Sequence, residues 1–209
     1  VDEEFLDLTQ ETTHNLELVG NTPSSALGTT RDKPDLKYCQ EIFRVLQAHR
    51  ISTFFYMGGN DSSDVLRIVN DEAREADYAL RCIHIPKTID NDLSSTDVTF
   101  GFDTSINVVM EAVDRLRTTA ESHRRVMVIE TMGRHAGWIT CFSGVSTAAD
   151  YFLIPEEKPD LDHMCELLKQ RRQAGKMYGI VIVSEGVELP QVDGFVTQDT
   201  EVDDFGHVK

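Results

Sequence analysis

The sequence predicts an α/β protein: mostly parallel sheets with helices on both faces. Short apolar runs alternate with stretches of helical periodicity, and turn residues separate the two. With 40% apolar residues, a chain of 209 has enough material for a sizeable core.

Residues 1–33 read as irregular, a polar stretch from Thr9 to Asn15 preceding the small-residue run Gly20 to Arg31. After Pro34-Asp35, the positions Tyr38, Cys39, Ile42, Val45 and Leu46 recur at helical spacing as far as Arg50. Thr53 to Met57 is a buried strand ended by Gly58-Gly59. A second helix follows the cap candidates Asp61 and Ser62 and carries Val65, Leu66, Ile68 and Val69. Leu80 to Ile85 is the next strand, and Pro86 to Ser95 a polar loop. A long helix from Thr104 bears the stripe Ile106, Val109, Met110, Val113 and Leu116. Strands at Val126–Ile129, Tyr151–Ile154 and Tyr178–Val183 then alternate with helices at Gly137–Ala149 and Leu161–Ala174. The tail from Gln191 to Lys209 loses periodicity and reads as a surface excursion or as the edge of a longer protein.

Charge narrows the function classes. With 20 Lys and Arg against 36 Asp and Glu, the formal charge of −16 argues against a general nucleic-acid or membrane-surface binder. An anionic substrate then requires a local cluster of cations. No apolar run approaches the roughly 20 residues that span a bilayer, and the acidic start Val1-Asp2-Glu3-Glu4 is unlike a signal peptide, so a soluble protein is expected. Cys39, Cys82, Cys141 and Cys165 are widely spaced inside apolar segments and are expected to be reduced, buried thiols in a cytoplasmic setting.

In open parallel sheets ligands collect beyond the carboxyl ends of the strands, which points to the loops after Met57, Ile85, Ile129 and Val183. The first, Gly58 to Ser63, lets a phosphate approach a helix N-terminus, or is simply a tight turn capped by Asp61 or Ser62. Pro86-Lys87-Thr88-Ile89-Asp90-Asn91-Asp92 sets an ammonium, a hydroxyl and two alternate carboxylates after a strand; the plain alternative is a turn. A fixed ammonium there suits the charge of a transferring phosphoryl group. Arg134 is a phosphate ligand or the partner of a structural acid, and Glu185 an acceptor for sugar hydroxyls or a solvated charge. Arg124-Arg125 precede a strand and belong at the opposite edge of the sheet, from which they could reach an active site only across an oligomer interface.

Taken together, Gly58-Gly59-Asn60-Asp61-Ser62, Pro86 to Asp92, Gly101-Phe102-Asp103-Thr104, Met132-Gly133-Arg134 and Ser184-Glu185-Gly186, in this order and spacing, resemble the phosphofructokinase family over about Gly20 to Leu189. The resemblance implies a Rossmann-like fold in two lobes. Residues 1–101 would be part of a phosphoryl-donor-binding domain and 102–209 a sugar-phosphate-binding domain, incomplete at its C-terminus. It also implies phosphoryl transfer to the 1-hydroxyl of fructose 6-phosphate in glycolysis or gluconeogenesis, with Mg2+ as cofactor. Asp90 resembles the proton acceptor and Asp92 its supporting carboxylate near the metal. Thr88, Ile89, Asp90, Met132, Gly133, Arg134 and Glu185 resemble the sugar-phosphate site. Arg125 resembles the arginine that reaches a neighbouring subunit, implying a homo-oligomer, and Arg31, Gly59, Asn60, Asp61 and Ser62 resemble donor contacts.

Two positions bear on the donor. ATP-using members typically carry glycine where this chain has Asp61 and Lys87, and the Asp/Lys pair resembles the pyrophosphate-dependent branch. An added carboxylate would repel the α-phosphate of ATP, and the Lys87 ammonium would stabilise departing phosphate. Reversible, pyrophosphate-dependent transfer is therefore expected, with an ATP-dependent enzyme as the alternative.

Asn60 stands where many members carry a metal-associated Asp, leaving Asn60, Asp61 and Asp92 as the metal candidates. The same Asn60 favours a third reading, a non-catalytic regulatory subunit, against which the retained Lys87, Thr88, Asp90, Asp92, Arg134 and Glu185 argue. The family's amino-terminal strand and glycine-rich loop are expected before Val1, and its further 6-phosphate ligands beyond Lys209.

Overall fold

The computed structural model describes residues 6–22 and 24–189, so the tail reading from Gln191 onward and the acidic start lie outside the described residues. By packing, the chain divides into two compact units. One is the described part of Val1–Phe55 with Asp64–Ile83; the other is Tyr56–Ser63 with the described part of His84–Lys209. This partition by contacts is a different property from the division by ligand at residues 101 and 102 expected above.

In the first unit, helix α1 (Thr13–Gly20) occupies part of the stretch expected to be irregular. The Thr12 hydroxyl caps it by accepting the Asn15 N–H at 3.1 Å, but none of its residues is buried, so no apolar stripe marked it in the sequence. Helix α2 (Leu36–Ala48) starts where expected, the Asp35 carboxylate accepting the Tyr38 N–H at 2.8 Å. Its face of Cys39, Phe43 and Leu46 packs with Leu80 and with Val69 and Ala73 of helix α3 (Asn60–Glu75). Strands β1 (Thr53–Gly58) and β2 (Arg81–Pro86) form a two-stranded sheet.

In the second unit, helix α4 (Phe102–His123) is followed by strand β3 (Val126–Thr131), helix α5 (Trp138–Ser146), strand β4 (Tyr151–Leu153), helix α6 (Leu161–Gln173) and strand β5 (Gly179–Ser184). The strands form a parallel sheet in the order β3-β5-β4, with Val126 opposite Gly179 and Thr131 opposite Ser184. The central β5 is therefore a nearly continuous apolar run, as a strand covered on both faces requires. Val113 and Ala120 of α4 pack on Ile180 and Ile182. Leu168 of α6 lies against Gly179, a position of the other parity and so of the other face. Helices on both faces are thus observed.

Burial also separates the cysteines. Cys39 is buried as expected, but Cys82 and Cys141 are partly buried and Cys165 is exposed on α6, so the expectation of four buried thiols is corrected. An apolar context in sequence does not fix which side of a helix a residue occupies. Asp150 is a buried charge of this unit, held by Arg171, by Lys176 at 2.6 Å and by the Ile180 N–H at 2.9 Å.

Candidate functional site

Strand β1 delivers Gly58 to a tight turn into α3. An added Cβ at Gly58 would stand 2.0 Å from the Ser62 Oγ, so only glycine lets the helix begin this close to the strand. At Gly59 a built Cβ would make only ordinary contact, 3.6 Å from the Thr88 Cβ. The Gly58 carbonyl accepts the Lys87 N–H at 3.0 Å and is bonded at 3.0 Å to the His84 Nε2, which must donate to a carbonyl. These bonds tie the end of β1 to the start of the Lys87–Asp92 loop.

That loop is shaped by side chains. Asn91 takes a left-handed conformation, φ 54°, and its Oδ1 accepts the Thr99 N–H at 2.9 Å. The Thr99 hydroxyl, 2% exposed, donates to the Thr88 carbonyl at 2.7 Å, and the Asp90 N–H donates to the Thr88 Oγ1 at 3.2 Å. Ile89 turns its side chain toward the Phe102, Ile106 and Ile139 cluster. Asp92, two residues on, is near enough for its charge to act on Asp90.

Asp90 is buried at 9% exposure. Burial, followed by the charge of Asp92, holds its carboxyl above the usual carboxylate range, with Glu185 adding to the effect; Arg134 and the Thr88 bond pull the other way. The Arg134 Nε lies 4.0 Å from the Asp90 Oδ2. Asp92 in turn accepts the Asn60 Nδ2–H at 2.7 Å.

The Met132–Arg134 turn follows β3. Gly133 has φ 141°, and a Cβ there would stand 2.4 Å from the Ala136 carbonyl, so glycine is required on two counts. Glu185, at the end of β5, holds this turn: its Oε1 accepts the Gly133 N–H at 3.1 Å and the Arg134 N–H at 2.8 Å. A shared carboxylate oxygen thus fixes the backbone that carries Arg134, whose guanidinium leans toward Asp90.

Asn60 is bonded to Asp92, and Asp61 follows Asn60 in the first turn of α3, so two carboxylates and an amide are the oxygen donors available here. Among the described residues no three His, Cys, Asp or Glu side chains assemble a metal cage. This donor set fits Mg2+, which keeps several waters and takes one or two carboxylates plus substrate phosphates.

The family model described as Phosphofructokinase matches residues 1–209. The chain belongs to the phosphofructokinase family. A pyrophosphate–fructose 6-phosphate 1-phosphotransferase of Rhodospirillum rubrum is 49% identical across 100% of this chain and 54% of its own length. An ATP-dependent 6-phosphofructokinase of Corynebacterium efficiens is 48% identical over 63% of this chain and 38% of its own. The crystal structure of a pyrophosphate-dependent phosphofructokinase from Nitrosospira multiformis superposes with a TM-score of 0.79 at 31% identity, covering 89% of this chain and 49% of that one. The chain spans about half the length of the curated relatives it matches.

Within this phosphofructokinase chain, the second unit brings together Asn60, Thr88, Asp90, Asp92, Gly133, Arg134 and Glu185 through the contacts above. Lys87 and Met132 expose their side chains beside them in sequence, Asp61 and Ser62 follow Asn60, and Arg125 stands exposed at the amino end of β3. Arg31 belongs to the first unit and is exposed. Sequence reasoning overlooked Thr99, His84 and the structural use of Asn91. The only signal was for Asn91, since Asn tolerates the left-handed region; the other two act through long-range bonds that no local pattern records.

Proposed function

We propose that this chain carries the reacting site of a pyrophosphate-dependent 6-phosphofructokinase. The observation that carries the reading is a buried, proton-avid Asp90 flanked by Asp92 and Arg134, at the ends of parallel strands. Fructose 6-phosphate lies against Thr88, the Ile89 backbone, Met132, Gly133, Arg134 and the second oxygen of Glu185. Its 1-hydroxyl donates its proton to Asp90 as the oxygen attacks the terminal phosphorus of pyrophosphate. The new C1–O–P ester bond forms while the bridging P–O bond breaks, and orthophosphate leaves. The Lys87 ammonium stabilises charge on that leaving group, and Gly59, Asn60, Asp61 and Ser62 line the donor side. Mg2+, held by Asp92 and Asp61 with the Asn60 amide oxygen and water, supplies charge neutralisation on the polyphosphate when bound.

Because one phosphoanhydride is exchanged for a phosphate ester with orthophosphate as product, the reaction runs in both directions in glycolysis or gluconeogenesis. Arg125, at the amino edge of β3, serves the substrate of a neighbouring copy in a homo-oligomer, and the enzyme works in the cytoplasm. Among the described residues no helix is long and apolar enough to cross a membrane.

The 48% identity to an ATP-dependent relative supports a second reading, ATP as donor. A coupled assay on the full-length protein with each donor supplied separately decides between them. Turnover with pyrophosphate and little with ATP is expected. The double change Asp61→Gly, Lys87→Gly should weaken pyrophosphate use more than sugar binding; activity with ATP alone would overturn the donor assignment.

A further inference from the structure

The segment from Met132 to Gly137 joins β3 to α5 and carries Arg134. Its near end is held by Glu185 through two backbone N–H groups. Its far end is held by a second carboxylate that no motif in the sequence marks: the Glu156 Oε1 accepts the Gly137 N–H at 2.8 Å. Gly137 fits closely there, since a built Cβ would stand 2.5 Å from the Ile154 Cβ and 2.6 Å from the Glu156 Oε2. Between the anchors the Ala136 N–H bonds back to the Gly133 carbonyl at 2.9 Å, closing the segment into a turn. Gly137 is also the N-cap of α5, where a carboxylate meets the positive end of the helix and an N–H that lacks an intrahelical partner. A short segment clamped at both ends has little freedom to reorient. A side chain in its middle inherits that rigidity.

We propose that Glu156 is a positioning residue for sugar-phosphate binding: by fixing Gly137 opposite the Glu185 clamp, it sets the course of residues 132–137 and so the approach of Arg134 to Asp90. This rests on the functional reading above for its kinetic consequence, though not for its structural one.

The test uses the full-length enzyme with Glu156→Ala, which removes the acceptor, and Glu156→Gln, which keeps an acceptor oxygen at the same reach. Glu156→Ala should raise KM for fructose 6-phosphate about ten-fold, with kcat and the pyrophosphate KM within about three-fold of the parent, and Glu156→Gln should restore most of the loss. Amide hydrogen exchange should be about ten-fold faster across Gly133–Gly137 in the Ala variant and close to the parent in the Gln variant. An unchanged sugar KM in Glu156→Ala, or equal loss in both variants, overturns the proposal. If the parent does not turn over fructose 6-phosphate, the functional reading fails instead, and hydrogen exchange alone decides: unaltered exchange in Glu156→Ala still refutes the clamp.

Discussion

Replacing Asp90 with Asn tests the reaction and the fold together, because it keeps the side chain's shape while removing its proton affinity and its charge. A positioned base contributes about 10²–10⁴ in rate, which at about 1.4 kcal/mol per decade is roughly 3–5 kcal/mol of barrier. Turnover of Asp90→Asn should therefore fall at least about 100-fold with a small change in sugar-phosphate KM. On stability, the loss of Arg134's attraction opposes the relief of burial and of repulsion from Asp92 and Glu185. Unit charges at the observed 4.0 Å interact by about 4 kcal/mol at an effective dielectric of 20 and by about 1 in water. Arg134's side chain is 45% exposed, which places its attraction toward the low end. Burial and Asp92 outweigh it, as the raised Asp90 pKa requires. The ionised carboxylate is thus a stability cost at neutral pH, and Asp90→Asn should melt no lower than the parent, and somewhat higher.

The sign follows from linkage. With its folded pKa above the unfolded value, Asp90 penalises the fold once pH rises past the folded value, and the penalty vanishes below the ordinary carboxylate value of about 3.9. The Asn variant's advantage should shrink in the same acid range. Parent kcat should fall as pH drops through the raised Asp90 pKa. Coupled turnover across pH, with thermal melts at neutral and acid pH, supplies all of these quantities. Retention of more than about a tenth of parental turnover, or a melting temperature several degrees lower at neutral pH, would refute the reasoning.

Other perturbations probe separate parts of the molecule. Asn60→Asp replaces an amide donor with a second carboxylate beside Asp92; calorimetry on the substrate-free protein should show Mg2+ binding at least about ten-fold tighter than in the parent, and a lower melting temperature without the ion. Gly133→Ala forces a Cβ to within 2.4 Å of the Ala136 carbonyl at φ 141°, so the sugar-phosphate KM should rise at least about ten-fold at a stability cost of about 1–3 kcal/mol, measured by steady-state kinetics and urea unfolding. Asp150→Ala strands Lys176 and the Ile180 N–H and should cost about 3–5 kcal/mol at pH 7. Although burial alone would raise the Asp150 pKa, its bonds to Lys176 and Ile180 and the Lys176 and Arg171 charges lower it. Its contribution is therefore present above about pH 4 and lost as pH falls through the folded value, so parent and variant should converge in urea unfolding toward pH 2.

The strands and long helices were legible because their signals are local. The β5 run Gly179 to Ser184 is apolar on both faces because helices cover both faces of the sheet there, and the α2 start is written in Asp35. Helix α4 begins at Phe102, two residues before the expected Thr104, since Gly101 offers no side-chain cap and Phe102 is a core residue. Helix α1 escaped notice because a helix that buries nothing leaves no stripe.

At the site, residue types and their order along the chain were enough to nominate Asp90, Asp92, Arg134 and Glu185, because chemistry limits which groups can serve a phosphoryl transfer and parallel strands send their loops to one edge. What each group is able to do was decided by tertiary structure. Burial and the neighbouring Asp92 charge raise the Asp90 pKa, the Asn60 amide occupies one oxygen of Asp92, and Glu185 spends one oxygen on the backbone of Gly133 and Arg134. Thr99 and Glu156 gained their importance the same way, from partners 11 and 19 residues distant along the chain. Side-chain identity is a property of one position, whereas solvation, field and hydrogen-bond partnership depend on which segments the fold brings within a few ångströms of it.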